Sequence, residues 1–187
     1  MAINLEKGQK INLNKEDGTP LTRIMLGLGW DTASGLFGSS SIDLDASCAL
    51  FSENKELIDT VSFRQLYSKD GSIRHSGDNL TGAGDGDDEV INVDLSSVPS
   101  NVKSIVFTIN SYSGQTFDKV KNCFSRIVDT VSGKEICIYK LSEKGSHTGL
   151  IMCKVYRHQD TWKVAALGNT CNGKTIQNIS EEIKAIL

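Results

Sequence analysis

A period-two alternation of side chains limits the folds open to this chain more than any other feature of it. Ile24, Leu26, Leu28 and Trp30 alternate with Arg23, Met25, Gly27 and Gly29, as expected of a strand with one buried face. In IDLDASCALF (42–51), Ile42, Leu44, Ala46, Cys48 and Leu50 point one way and Asp43, Asp45 and Ser47 the other, so Asp43 and Asp45 are same-face neighbours. Further strands are expected at LIDTVSF, EVINVDL, VKSIVFTIN, CFSRIVDTV, EICIYKL, LIMCKVYR and WKVAALG, joined by short turns such as SGK (132–134) and HQD (158–160). This string predicts a mainly β fold, a sandwich of two antiparallel sheets. Helical spacing is confined to a turn or two near TFDKVKN and to the C-terminal TIQNISEEIKAIL, where Ile176, Ile179, Ile183 and Leu187 recur on one face.

The 187 residues contain only two prolines and no linker-like stretch, which predicts one domain over residues 1–187. A net charge of -3 with scattered Lys and Arg argues against a nucleic-acid partner. Nowhere do about 18 apolar residues follow one another, and the N-terminal MAINLEKGQKINLN lacks a signal peptide's apolar run, so a cytoplasmic location without a membrane span is expected. The five cysteines are odd in number and never spaced as CxxC, which suits reduced, mostly buried thiols better than disulfides or a zinc site.

The segment SGDNLTGAGDGDDE (76–89) holds five acidic residues and four glycines without a cation. Asp78, Asp85, Asp87, Asp88 and Glu89 repel one another unless a cation sits among them, and Asn79 adds a side-chain oxygen. Oxygen-only ligands favour a hard ion, and Ca²⁺ tolerates irregular geometry better than Mg²⁺. The segment is not an EF-hand: counted from Asp78, positions 3 and 5 are Leu80 and Gly82, and the obligatory glycine position is Ala83. The plainer alternative is a solvated acidic turn.

GDNLTGAGDGDDE, together with the upstream GWD and IDLDASC, resembles the TerD family of tellurite-resistance and general stress proteins, over essentially residues 1–187. The resemblance implies a β-sandwich that binds one or two calcium ions through strand and loop carboxylates, in a protein that is not an enzyme. Residue by residue it points to Asp31 of GWD, Asp43 and Asp45 of the strand motif, Asp78 and Asn79 of GDN, and the loop acids Asp85, Asp87, Asp88 and Glu89 as metal residues. The chain departs from the family at Ala83, usually acidic, and at Cys48, usually alanine. The function expected is that of a calcium-binding stress-response protein whose ion organises a loop surface for a protein partner in a stress-response assembly.

Two rival readings arise. A metal-dependent enzyme would use bound ions to hold a phosphate-containing substrate. Separately, GNTCNGKT (168–175) fits the phosphate-binding pattern G-x-x-x-x-G-K-[ST], with Lys174 and Thr175 as its working residues, but it follows antiparallel strands and has little chain after it. No G-x-S-x-G elbow or triad arrangement is visible, and His75, His147 and His158 are expected at the surface.

Overall fold

The computed structural model describes residues 2–32, 34–35, 38–39, 42–78, 86–141 and 144–187. Strands β1 (Ile3–Asn4), β2 (Lys10–Asn12), β3 (Arg23–Thr32), β4 (Ser34–Gly35), β5 (Gly38–Ser39), β6 (Leu44–Phe51) and β7 (Leu57–Val61) make up the first part of the chain. They are followed by β8 (Ile73–His75), β9 (Glu89–Asp94), β10 (Ser104–Ser111), β11 (Val120–Asp129), β12 (Lys134–Lys140), β13 (Gly149–His158) and β14 (Thr161–Cys171). One sheet has the order β1-β12-β11-β3-β9-β8 and the other β2-β14-β13-β10-β6-β7, with β4 and β5 forming a small separate ladder. The expected mainly β, two-sheet architecture is what the structure has. Its pairings are antiparallel except for the two-residue β1–β12 contact, which is parallel.

The alternation of the sequence places the core. Ile24, Leu26, Leu28 and Trp30 of β3 and Leu44, Ala46, Cys48 and Leu50 of β6 meet between the sheets. Both faces of β6 and β10 are buried, because Ala49, Phe51 and Val106 carry a second cluster on the far side. That cluster is covered by a 3-10 turn (Ile176–Ile179) and a short helix, α1 (Ser180–Ala185), through Ile176, Ile179 and Ile183. Burying each such side chain stabilises the fold by roughly 1.5–3 kcal/mol before entropy is counted.

The segment read as helical near TFDKVKN is helical only as a 3-10 turn at Phe117–Lys119, and β11 begins at Val120. The cause is a bulge. The β11–β3 register shifts between Lys121 and Phe124, and Asn122 takes φ 48°, so the period-two signal is interrupted where the strand starts.

Candidate metal centre

One end of the sandwich collects the last residues of β3, β8 and β10 and the first residues of β6 and β9, and the acidic motifs lie on these ends. Asp43 and Asp45 are carried on the entry to β6, on the face opposite the inter-sheet core. Asp78 follows the end of β8. Oxygens of Asp43, Asp45 and Asp78 lie within 4.8 Å of one another, bringing together two motifs far apart in sequence. Among the described residues no lysine or arginine forms an ion pair with any of the three.

The donor chemistry fits a hard cation. Asp43 Oδ1 and Asp45 Oδ2 are buried and receive no hydrogen bond, and Asp45 is only 3% exposed. An unpartnered buried carboxylate costs several kcal/mol unless a proton or a cation neutralises it. Burial, followed by the charges of Glu89, Asp43 and Asp78, pushes the Asp45 carboxyl up to about 8. Asp43 is raised for the same reasons, burial first and then Asp78 and Glu89. Asp43, Asp45 and Asp78 are therefore the residues that would hold an ion here.

Three consecutive acids of the loop do three different things. Asp87 lies on the outer face of its sheet, where Arg126 Nε donates to both of its oxygens at 2.9 and 3.1 Å. Asp88 continues the strand pairing: its N–H donates to the Leu28 carbonyl at 2.7 Å, and its Oδ2 accepts from the Trp30 N–H at 2.9 Å. Burial raises the Asp88 carboxyl against that hydrogen bond, with the Asp31 charge adding to the rise. Glu89 turns inward and is fully buried; its Oε2 accepts the Ala46 N–H at 2.6 Å.

His75 completes the Glu89 arrangement, and here the surface expectation was wrong. The ring is 1% exposed; Nε2 lies 3.0 Å from the Ala46 carbonyl and 3.4 Å from Glu89 Oε2, while Nδ1 accepts the Gly77 N–H. That pattern assigns the proton to Nε2. Burial pulls the ring's pKa down, but Glu89 and the Ala46 carbonyl outweigh it and leave the value raised. Glu89 and His75 thus take both main-chain polar groups of Ala46, next to Asp45, on the edge of β6 where β7 pairs only from Cys48 onward. His147 is buried too, stacked on Phe117 with ring centroids 4.9 Å apart, so the surface expectation fails there as well. His158 is exposed.

Of the nine expected metal residues, the structure therefore gathers Asp43, Asp45 and Asp78, with Glu89 beside them as a brace. Asp31 and Asp88 form a separate pair; Asp31 is exposed and accepts from Asn122 Nδ2 at 2.7 Å. Both line a groove of about 540 Å³ with Phe124 and Ile138 along it and Lys140 and Lys144 nearby. Asp87 is an anchor. Asn79 and Asp85 lie outside the described residues. Sequence reasoning missed His75 and Arg126: the inward Ile73 two residues earlier carried a signal for His75, whereas nothing local marked Arg126.

The phosphate-loop pattern has the wrong surroundings. β14 is antiparallel to both its neighbours, and the Thr175 N–H and hydroxyl both donate to Asn178 Oδ1 at the start of a 3-10 turn instead of facing a phosphate. Saturating MgATP should leave the melting temperature unchanged, in the parent and in Lys174→Ala alike. A nucleotide-dependent rise in melting temperature, lost in that variant, would contradict this placement.

Fold and site together define a two-sheet β-sandwich with a carboxylate-rich end. The chain belongs to the TerD family: the model of the TerD domain matches residues 1–182. It is 48% identical to the tellurium resistance protein TerZ of Serratia marcescens, with 97% of this chain and 96% of that protein covered. It is 40% identical to the stress response protein SCP2 of Bacillus subtilis (strain 168), covering 96% and 98% respectively. Among solved structures, a homologue of telluride resistance protein (TerD) from Streptomyces coelicolor A3(2) superimposes with a TM-score of 0.73 at 18% identity, over 88% of this chain and 98% of that one. At that identity the likeness speaks for the fold alone. No helix is long and apolar enough to cross a membrane among the described residues.

Proposed function

We propose that this chain is a calcium-binding stress-response protein of the tellurium-resistance type, without enzymatic activity, acting in the cytoplasm as one domain. The observation that carries the reading is the buried, unpartnered Asp45 oxygen facing two further carboxylates. A bound Ca²⁺ would supply the positive charge that lets Asp43, Asp45 and Asp78 ionise side by side. Asp45 and Asp43 hold the strand side of the site and Asp78 the loop side, so occupancy ties the start of the acidic loop to β6. The resulting surface is what a protein partner would read.

Trp30 offers a direct test, because its indole Nε1 donates to the Ile42 carbonyl at 3.0 Å, one residue from Asp43, and its main-chain N–H binds Asp88. In a Trp162→Phe background, calcium should change Trp30 emission saturably, and magnesium should do so only at much higher concentration. Unchanged emission at millimolar calcium would count against the site.

A metal-dependent enzyme is the second reading, and the groove beside Asp31 and Asp88 is what favours it. Phosphatase activity with p-nitrophenyl phosphate, dependent on added metal and lost in Asp31→Asn, would select it over a binding role.

A tellurite phenotype, if this chain confers one as its relatives' names suggest, is indirect on this account. Tellurite is an oxyanion, which the acidic cluster repels. The thiols offer no alternative, since all five cysteines are buried. Burial pushes Cys171 up to about 11 and Cys137 to about 12, and Cys48 and Cys153 higher still. Native protein should react slowly with a thiol reagent such as dithionitrobenzoate and quickly only once unfolded. Rapid stoichiometric labelling of the folded protein would reopen a thiol route.

A further inference from the structure

The outer face of β3 presents Gly27 and Gly29, and both are glycine because something lies on them. A Cβ at Gly27 would sit 2.3 Å from the Asp87 carboxylate, and one at Gly29 would sit 2.5 Å from the Phe124 ring and 2.6 Å from the Gly86 carbonyl. The Gly86 carbonyl and the Asp87 side chain are therefore laid over this face of the sheet, with Gly86 at φ 101°, a conformation that favours glycine. Arg126 is the cross-strand partner of Gly27 on β11, so its side chain rises beside the gap that Asp87 fills. Its Nε and Nη2 donate to the Asp87 carboxylate and its Nη1 to Glu135 Oε2 at 2.9 Å. The Asp87 side chain is 7% exposed, which makes this a fork-like, largely desolvated pair rather than a loose surface contact.

We propose that Arg126 is a positioning residue for the cation site: by clamping Asp87 on the Gly27–Gly29 strip it fixes the exit of the acidic loop, and through it Asp88 and Glu89, without touching the ion. The chain of contacts is continuous. Asp87 is held by Arg126; the next residue pairs with Leu28 and Trp30; the one after holds the Ala46 N–H beside Asp45. Glu135 supports the clamp from β12 by occupying the third guanidinium nitrogen. Asp87, expected from the sequence to face the ion, thus acts on it from the opposite side of the sheet.

This rests on the calcium reading, and the experiment separates the two by using one measurement that needs no metal. In EDTA, amide hydrogen exchange at Trp30 and Asp88 should speed up at least tenfold in Arg126→Gln, with Arg126→Lys intermediate because lysine keeps the charge and loses the fork. With calcium, isothermal titration should show the Kd of Arg126→Gln raised about tenfold at unchanged stoichiometry. Asp87→Asn should match it, and the double variant should be no worse than either. Val102→Ala, a core truncation remote from the site, should lower the melting temperature while leaving the Kd and these two amides as in the parent. Unchanged exchange and an unchanged Kd in Arg126→Gln overturn the clamp, as does an equal loss of affinity in Val102→Ala. If the parent binds no calcium yet exchange responds as described, the clamp stands and the metal reading falls.

Discussion

Replacing Asp45 by asparagine should remove most calcium binding while leaving the metal-free protein at least as stable as the parent. The carboxylate is buried, lacks a partner on Oδ2 and faces Glu89, Asp43 and Asp78, so without an ion its charge is a cost that asparagine relieves. With calcium the order reverses: at a hundredfold excess over Kd, one site stabilises the parent by about 2.7 kcal/mol, a gain that the variant forfeits. Melting curves in EDTA and in calcium check both halves of this expectation.

The same group gives the metal-free protein a pH dependence whose sign is fixed. Asp45 has an ordinary value of 3.8 in the unfolded chain and one of about 8 when folded. Between those values the folded state keeps a proton that the unfolded chain has released. This contribution to stability is complete below pH 3.8, declines as pH rises and is gone above pH 8. Asp43, also raised, adds to the same trend. Because protons and calcium compete for these oxygens, apparent calcium affinity should rise over the same interval. Asp45→Asn should flatten most of both slopes.

Glu89→Ala is expected to behave in the opposite way, with a loss of roughly 3 kcal/mol even in EDTA. Removing this carboxylate strands the buried Ala46 N–H and takes away the neighbour of the His75 ring. Glu89→Gln keeps an oxygen for Ala46 and should recover part of the loss. Denaturant unfolding of Asp45→Asn and Glu89→Ala in EDTA separates the two roles: a ligand that repels its neighbours when the ion is absent, and a brace that the fold needs at all times. If Glu89→Ala were as stable as the parent without metal, the brace assignment would be wrong.

The sequence made some of this legible and not the rest, for physical reasons. Strand positions along β3 and β6 could be read because the side chains that face the other sheet recur at every second residue. The pairing of Ile176, Ile179 and Ile183 could be read because a helical turn repeats them, although half of the element is 3-10. The strand motif and the GDN motif stand out by composition, but only the crossing of β8 and β6 at one end of the sandwich brings Asp78 to Asp43 and Asp45. Asp87 looked like its neighbours because its partner Arg126 lies 39 positions away on another strand. His75 was misplaced because a polar flanking segment suggested solvent, whereas register with Ile73 turned it inward to the Ala46 carbonyl.

Isothermal titration of Ca²⁺ into EDTA-stripped protein, run side by side on the parent and Asp45→Asn, decides whether Asp43, Asp45 and Asp78 hold a calcium ion. Saturable binding of one or two ions to the parent is expected, with at least a hundredfold weaker binding at the cluster site in the variant. No saturable heat from the parent, or an isotherm for Asp45→Asn that superimposes on it, would rule out the carboxylate site and return the acidic segment to a solvated turn.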